Sequence, residues 1–167
     1  VYALYLLMFL VGISIGSDKK ALQALRQQDL KLVLVPLATI LGTLAGSVLI
    51  SFALQGRSIT DCLAVGSGFG YYSLSSIFIT QYKGAELGTI ALVSNIMREL
   101  IALLAAPLLV RYFGKLAPIS VGGATTADTT LPIITKFSGK EFVIISIIHG
   151  ITVDLSVPFL VTFFCTI

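Results

Sequence analysis

The chain has 167 residues, of which 56% are hydrophobic and only 11% are charged, and its mean hydropathy is +1.00. A water-soluble domain carries roughly 25% charged residues, so this composition excludes an ordinary soluble protein and indicates a lipid bilayer as the solvent. The net charge is only +3, and the basic residues lie in short connectors rather than along one face, which excludes nucleic-acid binding.

The first apolar run, Val1–Gly16, is slightly shorter than the about 20 residues of a membrane-spanning helix. It starts without a methionine or a basic leader, so we interpret it as the remainder of a helix whose beginning is missing. The connector Ser17–Lys31 carries four basic and two acidic residues. The positive-inside rule therefore predicts that this connector is cytoplasmic.

A second span is predicted over Leu32–Leu54, which has no charged residue. Small residues recur every four positions from Ala38 to Gly46, and hydroxyl residues do so from Thr39 to Ser51. Small residues let helix backbones approach, and hydroxyls bond across such contacts. We interpret both stripes as a packing face rather than a substrate path.

Glycines and serines crowd the middle of the next apolar stretch, Asp61–Tyr82, between Gly66 and Ser76. Glycine weakens helices and serine competes for backbone hydrogen bonds. At membrane depth, unwound backbone survives only where protein or a watery cavity satisfies its polar groups. The stretch is predicted to be broken or re-entrant; the alternative is a continuous glycine-rich packing helix.

The stretch Leu87–Val110 predicts a spanning helix that carries Asn95, Arg98 and Glu99 near its middle. An ionised group at that depth costs at least about 2.5–3.5 kcal/mol unless it is paired or hydrated, so these side chains are expected to face inward. Two interpretations remain open: an arginine–carboxylate bond that locks helices together, and direct contact with an ion or substrate.

A second interruption is predicted over Ile119–Lys136, where glycines, threonines and Pro132 surround Asp128. The carboxylate of Asp128 could attract an ammonium group or exchange a proton. It could also serve as the N-cap of a half-helix, and the two roles can coexist.

The last predicted span, Glu141–Ile167, contains His149 and Asp154. Five residues rotate by about 140° on a regular helix, so these two side chains are not expected to pair. His149 is interpreted as a buried, hydrogen-bonded imidazole or as part of a proton relay with Asp154.

The fold is therefore predicted to be an all-α polytopic membrane protein with about four spanning helices and two broken or re-entrant segments. If both interrupted segments enter and return, Arg111, Lys115, Lys136 and Lys140 fall on the same cytoplasmic side as the connector Ser17–Lys31. Two such breaks in one bundle are typical of secondary transporters, although channels also use them for filters. Cys62 and Cys165 form no ligand cluster with histidine, so no metal site and no cofactor are expected.

Four motifs, in this order and spacing, resemble the LysO lysine-exporter family of bacterial inner-membrane proteins. They are GSGFGYYSLSS (66–76), SNIMREL (94–100), GGATTADTTLPII (122–134) and IIHGITVDLSVPFLVTFF (147–164). The resemblance implies export of L-lysine and of its toxic analogue thialysine. It also implies additional N-terminal helices with another intramembrane acid, supplied by a missing half or by a short separate subunit.

Residue by residue, Asp128 matches the intramembrane aspartate of the family's GATxxDxTLP motif, while Arg98 and Glu99 match its RE pair. The run from Gly68 to Ser73 matches its GFGxYSLS motif. Asp154 matches no family acid, which leaves its role open.

We thus predict that residues 1–167 form one multi-pass transport domain of the bacterial inner membrane, and not an enzyme. It would export L-lysine or a related cationic amino acid by alternating access, coupled to proton or sodium antiport, with a homo-oligomer left open. The alternatives are a passive channel and a non-transporting membrane subunit. The predicted substrate or ion site consists of Asp128, Thr126, Thr129, Gly68, Gly70, Tyr72, Ser73, Asn95, Arg98 and Glu99, with His149 and Asp154 as a proton relay.

Overall fold

The computed structural model describes residues 34–54 and 56–167, and all regular elements in these ranges are helical. The predicted first span and the connector Ser17–Lys31 lie outside the described residues. The α-helices of the described part are α1 (Leu34–Ser51), α2 (Ile59–Gly66), α3 (Tyr72–Lys83), α4 (Ala85–Leu104), α5 (Ala106–Phe113), α6 (Ala117–Gly122), α7 (Leu131–Phe137) and α8 (Val143–Thr166).

Three segments of the described part are long and apolar enough to cross a bilayer: Leu34–Ser51, Ala85–Phe113 and Lys140–Thr166. The all-helical prediction is confirmed. The middle segment is not the continuous helix that was expected, because α4 ends before Ala105 and α5 starts there with Pro107 in its first turn. Proline lacks the N–H that would continue the helical bonding and fits the start of a new helix.

The first interrupted segment forms hairpin 1 (Ile59–Lys83), in which α2 and α3 are separated by a turn with positive φ at Phe69 and Gly70. The two outer ends of hairpin 1 lie together. Lys83 Nζ is 3.5 Å from Asp61 Oδ1, and Arg57, just before α2, pairs with Glu86, just after α3. The segment therefore enters the bundle and returns to the same end.

The second interrupted segment forms hairpin 2 (Ala117–Phe137), in which a 3₁₀ segment, Gly123–Ala127, separates α6 from α7. Its outer ends also lie together, because Lys115 Nζ is 3.1 Å from Glu141 Oε1. Hairpin 2 therefore enters and returns as well.

The hairpins enter from opposite ends of the bundle. Helix α8 starts beside Glu141 and extends for 24 residues, about 36 Å at 1.5 Å per residue. Its last turn carries Cys165, which lies close enough to Asp61 and Lys83 to interact with their charges. We call the two ends of the bundle the Lys83 end and the Lys115 end.

The tips of the two hairpins meet inside the bundle. The backbone N–H of Ala124 donates a hydrogen bond of 2.9 Å to the carbonyl of Phe69, whose side chain is fully buried. Gly123 makes this approach possible: it has a φ of +63°, and a Cβ there would overlap the Phe69 carbonyl. The contact joins the two interruptions at one place, and α8 packs against both hairpins.

Replacement of Gly123 by alanine tests the tip contact. We expect Gly123→Ala to add steric overlap of about 1–3 kcal/mol to a backbone strain of about 1–2 kcal/mol. Gly114→Ala is the matched control, because Gly114 also has a positive φ, of +89°, but a Cβ there meets no atom within 4 Å. Thermal unfolding in detergent should show a clearly larger loss for Gly123→Ala; equal losses would mean that the tips do not pack this closely.

Candidate functional site

A cavity of about 310 Å³ lies at the meeting point of the two tips. Hairpin 1, α4, hairpin 2 and α8 all contribute to its wall. Three carboxylates line it, from Glu99, Asp128 and Asp154, and no basic side chain of the described residues does. The cavity is therefore lined by acidic groups and suited to a cation.

Asp128 lies in the turn that follows the 3₁₀ segment, and it is exposed to the cavity. Its Oδ1 accepts hydrogen bonds from the backbone N–H and the hydroxyl of Thr129, the latter at 3.1 Å. The N-cap of α7 is Thr130 rather than Asp128. The carboxylate is thus held by its neighbour and is free to meet a ligand, while the alternative N-cap role is not seen.

The N-terminus of α3 opens onto the same cavity, where Gly70, Tyr71, Tyr72 and Ser73 form part of the wall. The cap residue, Tyr71, makes no side-chain capping hydrogen bond. The first-turn N–H groups of a helix have no intrahelical acceptor and carry partial positive charge. This wall can therefore receive a carboxylate opposite the acidic residues.

Asn95 lies outside the cavity and holds the tip of hairpin 1 in shape. Its side chain is only 3% exposed. Its Nδ2 donates to the carbonyls of Val65 and Ala91 at 3.2 and 2.9 Å, and its Oδ1 accepts from the N–H of Gly70 at 2.8 Å. A side chain at Gly68 would overlap Asn95. The structure gives both residues a positioning role for the tip.

Arg98 also lies outside the cavity, although its neighbour Glu99 lines it. The guanidinium donates to the carbonyls of Val121 and Ser120 at 2.8 and 3.0 Å, and both of its terminal nitrogens lie 3.3 Å from the Thr43 hydroxyl. Within the described residues it forms no salt bridge with a carboxylate. The sequence left open a bond to a carboxylate or direct contact with an ion or substrate. In the described part of the chain, the structure shows neither for Arg98, which instead bonds to backbone carbonyls.

His149 and Thr126 are fully buried and join α1, hairpin 2 and α8. The Nδ1 of His149 lies 3.1 Å from the Thr126 hydroxyl, and its Nε2 lies 2.9 Å from the Thr39 hydroxyl. Asp154 lines the cavity, whereas His149 does not. The two predicted relay residues therefore lie on different faces of α8.

The structure thus brings seven of the predicted site residues to one cavity and leaves five behind its wall. Those at the cavity are Asp128, Thr129, Gly70, Tyr72, Ser73, Glu99 and Asp154. Those behind the wall are Thr126, Gly68, Asn95, Arg98 and His149. The sequence did not predict that Thr39 bonds to His149 or that Thr43 bonds to Arg98, although the stripe of hydroxyl residues that contains both threonines is visible in it.

Sequence comparisons relate the chain to known proteins. The family model for the lysine exporter LysO matches residues 1–165. The chain belongs to the lysine exporter LysO family. Among its LysO-family relatives, the lysine exporter LysO of Escherichia coli K12 is 36% identical over 98% of this chain, and a putative lysine exporter of Haemophilus influenzae is 37% identical over 98%.

The chain spans about half of the E. coli LysO protein, 54% of its length, and 82% of the H. influenzae protein. No solved structure matches the chain. Family membership confirms the resemblance of the four motifs, and with the apolar helices it establishes a membrane protein. The roles of individual site residues stay predictions.

Loss of the Asn95 side chain tests its positioning role within this LysO-family bundle. Asn95→Ala would leave the buried N–H of Gly70 without its acceptor, at a cost of about 1–3 kcal/mol. Ser94→Ala, on the exposed side of α4, should change stability by less than about 0.5 kcal/mol. Thermal unfolding in detergent measures both; an Asn95→Ala protein as stable as Ser94→Ala would contradict the assignment.

Proposed function

We propose that the protein is a carrier that exports L-lysine or a related cationic amino acid from the cytoplasm. The observation that carries this proposal is the cavity with three carboxylates and no basic side chain among the described residues, placed where two broken helices meet. The names of the two relatives, a lysine exporter and a putative lysine exporter, support the same substrate class.

The chemistry of lysine matches the two walls of the cavity. Lysine carries two ammonium groups and one carboxylate. We propose that Asp128, with Glu99 and Asp154, receives the ammonium groups, while the N-terminus of α3 at Ser73 receives the carboxylate. A volume of about 310 Å³ is at the lower end for ligand pockets, which suits a single amino acid.

The joined tips favour a carrier with alternating access over a passive channel. The hydrogen bond between Ala124 and Phe69 joins the two hairpin tips, and the two hairpins open toward opposite ends of the bundle. A carrier can expose a central site to one end at a time when one part moves against the other. The cavity then serves as the site that both access states share.

Export of a cation against the membrane potential costs about 2.3 kcal/mol per charge per 100 mV. An ion must therefore supply free energy, and we propose proton or sodium antiport. The carboxylates of Asp128, Glu99 and Asp154 are groups that either ion can bind in exchange for an ammonium group.

We further propose that the Lys115 end faces the cytoplasm of a bacterial inner membrane. Arg111, Lys115, Lys136 and Lys140 belong to that end, against one described acid there, Glu141. The Lys83 end has equal numbers of described basic and acidic residues. This asymmetry follows the positive-inside rule.

We keep the expectation that a further helical segment completes the transport path, since this chain covers 54% of the E. coli relative. Such a segment could be continuous with the chain or a separate short subunit. A homo-oligomer stays a prediction.

Neutralising Asp128 tests the site. We expect Asp128→Asn in the complete exporter, reconstituted in vesicles, to reduce lysine export at least about tenfold, because a charge-assisted bond worth about 1.5–3 kcal/mol is lost. The matched control is Asp61→Asn, which removes a carboxylate of the Lys83 end and should leave export nearly unchanged. Normal export by a folded Asp128→Asn protein would refute the site, and transport that needs no counter-ion would indicate a channel.

A second prediction concerns the side-chain charge of the substrate. L-Lysine should raise the unfolding temperature of the purified complete exporter, because a ligand that binds only the folded state stabilises it. L-Norleucine has a similar length but no ε-ammonium group, so it should have little effect at the same concentration. Equal stabilisation by both amino acids would show that the carboxylates do not select a cationic side chain.

A further inference from the structure

Arg98 is the one arginine or lysine of the described residues that lies away from both ends of the bundle. Arg57 and Lys83 belong to the Lys83 end, and the remaining described arginine and lysine residues belong to the Lys115 end. A charged guanidinium at this depth needs compensation. The described residues supply it without a carboxylate.

The compensation comes from the carboxyl end of the half-helix α6. Nε of Arg98 donates to the carbonyl of Val121 at 2.8 Å, and Nη2 donates to that of Ser120 at 3.0 Å. The last carbonyls of a helix have no intrahelical donor and carry partial negative charge. In carriers with broken helices, unwound carbonyls and half-helix carboxyl ends coordinate sodium or protons.

The remaining contacts of the guanidinium are also of the kind that a monovalent cation accepts. The hydroxyl of Thr43 lies 3.3 Å from both terminal nitrogens. The ring centroid of Phe69 lies 5.7 Å from the guanidinium carbon, within the range of a cation–π contact. Carbonyls, a hydroxyl and an aromatic face therefore surround a positive charge that is covalently part of the chain.

This cation lies between the two hairpins. Phe69 is the tip residue of hairpin 1, Ser120 and Val121 belong to hairpin 2, and Thr43 belongs to α1. One side chain of α4 thus holds both tips and a third helix together. Arg98 does not line the substrate cavity, so it can affect the substrate only by positioning the hairpin tips.

We propose that Arg98 is a resident cation that takes the place of a metal ion at the carboxyl end of α6 and joins the hairpin tips without sodium. The role of Arg98 in transport rests on the proposed function, whereas the unfolding measurements that test its role as a cation do not. The ion that drives export is then left to act at the carboxylates of the substrate cavity.

A second cavity gives access to this position. It has a volume of about 460 Å³ and lies between α1, α4 and α6, with Arg98, Thr43, Ser120 and Val121 in its wall. If the side chain of Arg98 is removed, this cavity leaves room for a small cation beside the vacated carbonyls of Ser120 and Val121. The assignment can therefore be tested by chemical rescue.

The experiment compares Arg98→Ala with wild type and with Arg111→Ala in the complete exporter, by thermal unfolding and by lysine export in vesicles. Arg98→Ala should lower the unfolding temperature and reduce export at least about tenfold. Millimolar guanidinium chloride should restore part of both. Sodium in place of N-methyl-D-glucamine should raise the unfolding temperature of Arg98→Ala more than that of wild type, and Arg111→Ala should behave like wild type.

Arg98→Lys provides a second variant if Arg98→Ala folds too poorly. It keeps a cation near α6, so it should be more stable than Arg98→Ala and should respond to sodium no more than wild type does. The inference is overturned if Arg98→Ala responds to guanidinium and sodium no more than wild type does, or if Arg98→Lys is as unstable as Arg98→Ala. Failure of wild type to export lysine would refute the proposed function instead, since the unfolding measurements do not depend on transport.

Discussion

One backbone hydrogen bond, from the N–H of Ala124 to the carbonyl of Phe69, is the constraint on which the arrangement depends. In a bilayer, an interrupted helix is stable only if protein or trapped water satisfies the exposed backbone groups. Here the interrupted segment of hairpin 2 donates a hydrogen bond to the interrupted segment of hairpin 1, so each satisfies a backbone group of the other. The same contact lies between the start of α3 and the end of α6. The N-terminus of α3 lines the cavity with the three carboxylates, and the carboxyl end of α6 lines the cavity that contains Arg98.

The sequence predicts the interruptions well because glycine, serine and threonine at membrane depth conflict with a regular helix. It also predicts that both segments return to the end from which they start, since that arrangement puts Arg111, Lys115, Lys136 and Lys140 on one side. The break at Ala105 was not predicted. The apolar run through Pro107 continues without a polar residue between Ile101 and Val110, so hydropathy alone gives no sign that the helix is restarted.

The roles of polar residues inside the bundle could be predicted only in part. Arg98 and Glu99 are neighbours, yet a rotation of about 100° per residue directs one toward α6 and the other into the substrate cavity. Asn95 and Asp154 are equally unusual at membrane depth. Asn95 makes three internal hydrogen bonds, whereas Asp154 lines the cavity. Such differences depend on tertiary neighbours, which periodicity and composition do not contain.

The opposite entry of the hairpins has a consequence for the conformational cycle. Hairpin 1 is followed by the segment Ala85–Phe113, and hairpin 2 is followed by α8, so the chain contains two successive units of the same design in inverted orientation. In secondary transporters, units of inverted topology move against each other around a fixed central site. In the proposed alternating-access cycle, the opposite state therefore requires no new fold, only a movement of one unit against the other.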